Sequence, residues 1–174
     1  MVWPLFLAVL VLPGKSAFLN VGVITSISIA VSIIASRYAG KISDGFRGRR
    51  LLRFSTVLNI AINLLRPFVS SYPGALAVNI SYDVSSIGYR IPFLKGYFIE
   101  AYSSAEQRIL FISITESLSS FIKMAVYCFL AIFAVFVSEK DLFTITFIVI
   151  GLSSLLIFTE KFKSLNPDKD KINA

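Results

Sequence analysis

A chain of 174 residues that is 56% hydrophobic and 16% charged holds more oil than a soluble domain of its length, which is about half apolar and about a quarter charged. It has no histidine and one cysteine, Cys128, which excludes a Ser-His-Asp triad, an intrachain disulfide and zinc sites of the usual ligand types. The net charge of +7 would suit a nucleic acid, but the positive residues flank the apolar runs, so a membrane surface is expected and no nucleic-acid partner.

Charge-free runs cover residues 16–36, 67–82, 124–138 and 142–159, close to the roughly 20 residues that a helix needs to cross a hydrocarbon core. Lipid cannot satisfy backbone N–H and C=O groups, and these runs lack the strict alternation of barrel strands. The expected fold is therefore an all-α membrane protein with six transmembrane helices, at about 2–13, 17–37, 51–71, 75–97, 108–137 and 142–160. Residues 1–160 form one transmembrane domain and 161–174 a basic tail. The opening "MVWPLFLAVLVLPG" has no basic n-region and no small-residue cleavage site, so it does not read as a signal peptide. A helix of about twelve residues covers about 18 Å of a ~30 Å core. The expectation is a first helix whose earlier half lies upstream, the alternative being a short, tilted or re-entrant segment.

Pro13-Gly14, Tyr72-Pro73-Gly74 and Ser138–Asp141 read as short turns on one side of the membrane. The Arg37–Arg53 segment, the Ala101–Arg108 connection and the tail from Lys161 fall on the other. The second side carries Arg37, Lys41, Arg47, Arg49, Arg50, Arg53, Lys161, Lys163, Lys169 and Lys171, against Lys15 and Lys140 on the first. The positive-inside rule places that basic side, with the C-terminus, in the cytoplasm, so the chain reads as a multi-pass cell-membrane protein.

The link after the second span reads "GKISDGFRGRRLL", Gly40–Leu52. Glycines let a short link reverse between packed helices, an aspartate can cap a helix N-terminus, and arginines favour the headgroup layer. An ordinary positive-inside loop accounts for the arginines but not for the ordering of Gly40, Asp44, Gly48, Arg49 and Arg50. That ordering resembles the signature loop of the major facilitator superfamily, roughly G-x-x-x-D-R-x-G-R-[RK], which follows the second helix of each six-helix half. Here one residue is added between the aspartate and the second glycine, and Gly45 stands where the family prefers arginine. "WPLF" (Trp3–Phe6), "LLRPF" (Leu64–Phe68) and "YRIPF" (Tyr89–Phe93) extend the resemblance to the C-terminal half of bacterial members, from about Trp3 to Glu160.

The resemblance implies two six-helix halves around a cavity exposed alternately to each side. It implies that Asp44 contacts a helix N-terminus of the other half as a latch, with Gly40 and Gly48 permitting close approach and Arg49 and Arg50 anchoring the loop at the headgroups. It also implies that the fourth and fifth spans line the cavity, while the third and sixth lie outside.

Ionisable residues inside spans are the sharper functional signal, since a charge there costs a few kcal/mol or more and usually faces a cavity or partner. Asn79, Tyr82, Asp83, Ser86 and Arg90 form one stripe on the fourth span; Ser113, Glu116, Ser117, Ser120, Lys123 and Tyr127 form another on the fifth. These stripes are expected to face each other or water. A 1.5 Å rise puts Asp83, Lys123 and Arg66 roughly 18–22 Å above the cytoplasmic boundary, Glu116 at about 12 Å and Arg90 at about 8 Å. Asp83 is thus expected to pair with Lys123 or Arg66, and Glu116 with Arg90. These pairs are either static glue between helices or part of a pathway for substrate or protons. A carboxylate beside a base can exchange a proton as a cavity opens, which makes Asp83 and Glu116 the proton-coupling candidates. The weaker stripe Thr25, Ser28, Ser32 and Ser36 on the second span reads as close helix packing. Pro92 is expected to kink the fourth span.

The functional expectation is a secondary transporter half rather than an enzyme, with a pathway through Asn79, Asp83, Arg90, Glu116 and Lys123 and with no cofactor or metal. Its partners would be the bilayer, an N-terminal six-helix half or a second copy of the chain, a small-molecule substrate and, as candidate coupling ion, protons. Two alternatives remain. One is a six-span scaffold or assembly protein that moves nothing. The other is a phospholipid head-group transferase, suggested by "SDGFRGRR"; its two-metal chemistry lacks ligands, since the third span offers Asn59 and Asn63 but no carboxylate.

Overall fold

The computed structural model describes residues 2–14, 16–44, 48–102 and 108–159. Lys15, Gly45, Arg47 and the basic tail, all used above, lie outside the described residues. Every regular element among the described residues is helical. They are α1, Val2–Phe6, continued by a π-helical turn Leu7–Val11; α2, Ala17–Asp44; and α3, Gly48–Leu65, extended by a 3-10 turn Arg66–Phe68. There follow α4, Tyr72–Tyr102; α5, Arg108–Phe133; and α6, Glu139–Ser153, ending in a 3-10 turn Ser154–Thr159. By length and composition α2, residues 109–133 of α5 and residues 139–159 can each cross a membrane.

Several helices run past the expected span ends. α2 continues through Arg37 and Lys41 to Asp44, and α3 begins at Gly48, so the expected 37–53 loop is mostly helix. The physical reason is that charge ends contact with hydrocarbon, not the hydrogen-bond ladder. Likewise Tyr72-Pro73-Gly74, expected as a turn, opens α4, with Pro73 in the first turn where its missing N–H costs nothing. Pro92 lies inside α4 and is buried, and the helix continues through it to Tyr102. α5 stops at Phe133, and α6 starts with Ser138 as N-cap. The Asp141 N–H reaches Ser138 Oγ at 3.4 Å, and that hydroxyl donates to Asp141 Oδ2 at 2.6 Å, a local lock on the helix start. Gly14, at φ +130°, makes the reversal between α1 and α2.

α4 is the pivot of the packing. It lies against α2 on one side and α3 on the other, and α3 in turn packs on α6. α2 and α4 run parallel: Asn79 Nδ2 donates to Ser28 Oγ at 2.7 Å, and Lys95 Nζ meets Asp44 Oδ1 at 2.9 Å. Those two joints are sixteen residues apart on each helix, about 24 Å of shared register. α3 and α4 run antiparallel, with Gly88 set against Ser55. α1 caps one end through a ring cluster in which Trp3 and Phe6 meet Phe147 at 5.9 and 5.3 Å between centroids, and Phe6 meets Phe143 at 5.6 Å.

α5 stands apart. It touches α4 and α6 sparsely, and Tyr97 against Phe111, 5.4 Å between centroids, marks its contact with α4. Its apolar side chains are exposed along its length, Ile109 at 82% and Phe121 at 63%.

Candidate functional site

The residues that converge in the interior belong chiefly to α3. Its sequence places Ser55, Thr56, Asn59, Asn63 and Arg66 at helical spacing, and all five are buried. Phe54, Val57 and Leu65 on the same helix are exposed, at 70%, 56% and 57%. The pattern is inside-out, with polar side chains turned into the bundle and apolar ones turned outward.

Arg66 ends that row. Its side chain is 4% exposed, and its guanidinium carbon sits 3.7 Å from the Tyr82 ring centroid, 4.6 Å from Trp3 and 5.6 Å from Phe147. One helix supplies the cation, and α4, α1 and α6 each supply an aromatic face. A guanidinium suits such a cage because it is planar, stays charged and is weakly hydrated.

From the cage a directed run of hydrogen bonds descends α3. Arg66 Nη1 donates to Asn63 Oδ1 at 3.1 Å, and Asn63 Nδ2 donates to Asn59 Oδ1 at 3.0 Å and to the Asn59 carbonyl at 2.9 Å. Asn59 Nδ2 then crosses to α4, donating to Ser85 Oγ at 3.2 Å, and Ser85 Oγ donates to the Tyr82 carbonyl at 2.9 Å. Tyr82 closes the circuit by lying over Arg66. Among the described residues Arg66 Nε has no hydrogen-bond partner, nor does the buried Trp3 indole N–H. The arrangement can hold one positive charge in a polarised, low-dielectric pocket, with donor capacity left over at Nε.

The expected site residues are distributed over this frame unevenly. Asn79 is buried and joins α4 to α2 through Ser28, which also gives the second-span hydroxyl stripe a packing role at that position. Asp83 is half-buried and near enough to Arg66 for their charges to interact, without ion-pair contact. Arg90 is exposed. Glu116 and Lys123 are exposed on α5, as are Ser113, Ser117, Ser120 and Tyr127.

Of the stripes expected to face each other or water, that of α5 is exposed rather than packed against α4. No ion pair joins Asp83 to Lys123 or Glu116 to Arg90. α3, expected at the outside, takes the polar side of α4, because its amide row matches Ser85 and Tyr82 in antiparallel register. Asn59, Asn63, Ser85, Trp3 and Phe147 were absent from the sequence-based site, although the spacing of Ser55, Asn59, Asn63 and Arg66 was readable as one face.

In the signature-like link, Asp44 pairs within its own chain. Lys95 Nζ bridges Asp44 Oδ1 at 2.9 Å and the Ser43 carbonyl at 3.0 Å, tying the ends of α2 and α4. Gly40 lies within α2 with nothing within 4 Å of where a Cβ would stand, so no close approach inside this chain demands it. Gly48 begins α3 and is buried, Arg49 is half-buried and Arg50 exposed.

Comparison with protein-family models, with curated proteins and with solved structures finds no match.

Proposed function

We propose that the chain is a six-helix half of a secondary transporter of the major-facilitator type, moving a small solute by alternating access in a cell membrane. A complementary half, from an N-terminal segment or a second copy, would complete the cavity. One observation carries the reading: Arg66 is a cation buried among apolar helices with, among the described residues, no carboxylate in ion-pair contact and one donor unspent. A static scaffold has little use for such a charge, since the cost of desolvating it offsets much of what its contacts contribute. A transport pathway uses it, together with Asp83 on the adjoining helix, to set the field along the route. Asp83, Glu116 and Lys123 would face the route, with Asn79 and Arg90 along the same helix.

The test is water access in the membrane. In a Cys128→Ser background reconstituted in liposomes, Asp83→Cys, Glu116→Cys and Lys123→Cys should each react with a membrane-impermeant thiol reagent from at least one side. Protection of all three from both sides would overturn the reading and leave the scaffold.

A further inference from the structure

The far end of α2 carries a feature that the transport reading does not use. A shallow cavity of about 860 Å³ lies along it, walled by Ile33 and Ile34 at one end and by Arg37, Tyr38 and Lys41 at the other, with Asp44 at its lip. Ser36 and Gly40 line it as well, and the missing side chain at Gly40 leaves open space there. Ile33, Ile34 and Tyr38 are 59%, 60% and 65% exposed, so this face of α2 looks away from the bundle.

Two properties set its ligand chemistry. The first is charge. Asp44 is already engaged by Lys95, whereas neither Arg37 nor Lys41 has an ion-pair partner among the described residues, so the cavity keeps two uncommitted positive groups. The second is depth. Residues 17–36 of α2 are free of charge, and their twenty residues span about 30 Å, the thickness of a hydrocarbon core. Arg37 then falls at the hydrocarbon boundary and Lys41 about 6 Å beyond it, inside a headgroup layer roughly 5–7 Å deep. The apolar wall points into the acyl region and the basic wall into the phosphate plane.

We propose that this groove is a binding site for one anionic phospholipid, its phosphodiester held by Arg37 and Lys41 and its acyl chain laid along Ile33 and Ile34. A soluble phosphate would satisfy the basic wall but leave the isoleucines without an occupant. The continuity of the two walls therefore selects a lipid. The site needs only that α2 crosses a bilayer, so it stands or falls separately from transport.

The test is native mass spectrometry of the full chain in nonionic detergent, titrated with phosphatidylglycerol, with phosphatidylcholine of the same acyl chains, and with inorganic phosphate. One phosphatidylglycerol should be retained in preference to phosphatidylcholine, and inorganic phosphate should not displace it. Arg37→Gln with Lys41→Gln should weaken retention about 30-fold, as ~1 kcal/mol for each basic group at an anionic surface implies. Gly40→Leu changes no charge and meets open space, yet it fills the groove; it should abolish preferential retention. Arg53→Gln with Lys140→Gln removes the same charge from other helices and should leave retention nearly unchanged. Equal retention of both lipids, displacement by inorganic phosphate, an unaffected Gly40→Leu variant, or an equal loss from the Arg53 and Lys140 pair would each overturn the proposal. Far-UV circular dichroism confirms that each variant is folded, and Gly40→Leu keeps the test decisive should the double charge variant fail to fold.

Discussion

Gly88→Ala offers the most direct test of how α3 and α4 are joined. A Cβ built on Gly88 would overlap Ser55 Oγ and lie 2.9 Å from Ser55 Cβ, with Leu51 Cδ1 at an ordinary 3.8 Å. The serine Cβ cannot rotate away, so the helices must separate by several tenths of an ångström. Overpacking of this kind costs about 1–3 kcal/mol. Against it stands the ordinary advantage of alanine over glycine in a helix, about 0.5–1 kcal/mol. The net expectation is a loss of about 1 kcal/mol, with the double cycle as the sharper readout. In a Ser55→Gly background both clashing atoms are gone, and the same Gly88→Ala change should become stabilising by about 0.5–1 kcal/mol. The assay is reversible unfolding in mixed detergent micelles, followed by far-UV circular dichroism. The same sign in both backgrounds would show that Gly88 and Ser55 are not in contact, and the antiparallel register argued from Asn59 and Ser85 would fall with it.

Arg66→Met leaves the buried Asn63 Oδ1 without its donor and should cost about 1–3 kcal/mol in that assay, less the relief of removing a desolvated charge. Arg66→Lys should be less stable than Arg66→Met, since an ammonium loses the stacked plane over Tyr82 and is more strongly hydrated; the reverse order would refute the cage. Asn79→Leu removes the 2.7 Å bond to Ser28 and leaves that buried hydroxyl unpaired, costing about 1–3 kcal/mol, to be read from the same unfolding curves. Asp44→Asn should shift stability by less than about 1 kcal/mol, because the carboxylate is 78% exposed, and the small difference should vanish in high salt. On the transport reading, Glu116→Gln should abolish flux driven by a proton gradient in reconstituted vesicles; undiminished flux would remove Glu116 from the mechanism.

Helicity and the rough placement of the helices were legible from the long apolar blocks separated by Gly and Pro, a pattern without the alternation of strands. Helix ends were less legible. Arg37, Lys41 and Pro73 punctuate hydropathy without punctuating the hydrogen-bond ladder, so α2 and α4 outrun their apolar runs. Asp83 and Asn79 were visible as polar residues inside a span, but their neighbours were not. Partner choice depends on register between helices, and Asn59, Asn63 and Ser85 find one another only when α3 and α4 are laid antiparallel. The family resemblance implies an outer third span, whereas Ser55, Asn59 and Asn63 at four-residue spacing, with Arg66 three residues on, mark one polar face of that helix in the sequence itself.

The two kinds of polar helix place different demands on their surroundings. α3 and α4 satisfy Asn59, Asn63 and Ser85 within and between themselves, whereas Arg66 Nε, the Trp3 indole N–H, Ser32 Oγ, Ser43 Oγ and Tyr97 Oη keep no hydrogen-bond partner among the described residues. α5 leaves its charges without ion-pair partners among the described residues: Glu116 and Lys123 sit mid-helix and exposed, seven residues apart and so on one face. Insertion of such charges into lipid costs about 2.5–3.5 kcal/mol each at the helix centre. The hydrogen bond from Thr115 to the Phe111 carbonyl and the ring contact of Phe129 with Phe133 do nothing to offset that cost. A surface that costs this much in lipid needs water or another helix bundle across from it. That requirement, rather than any contact inside the chain, links α5 to the proposed second half.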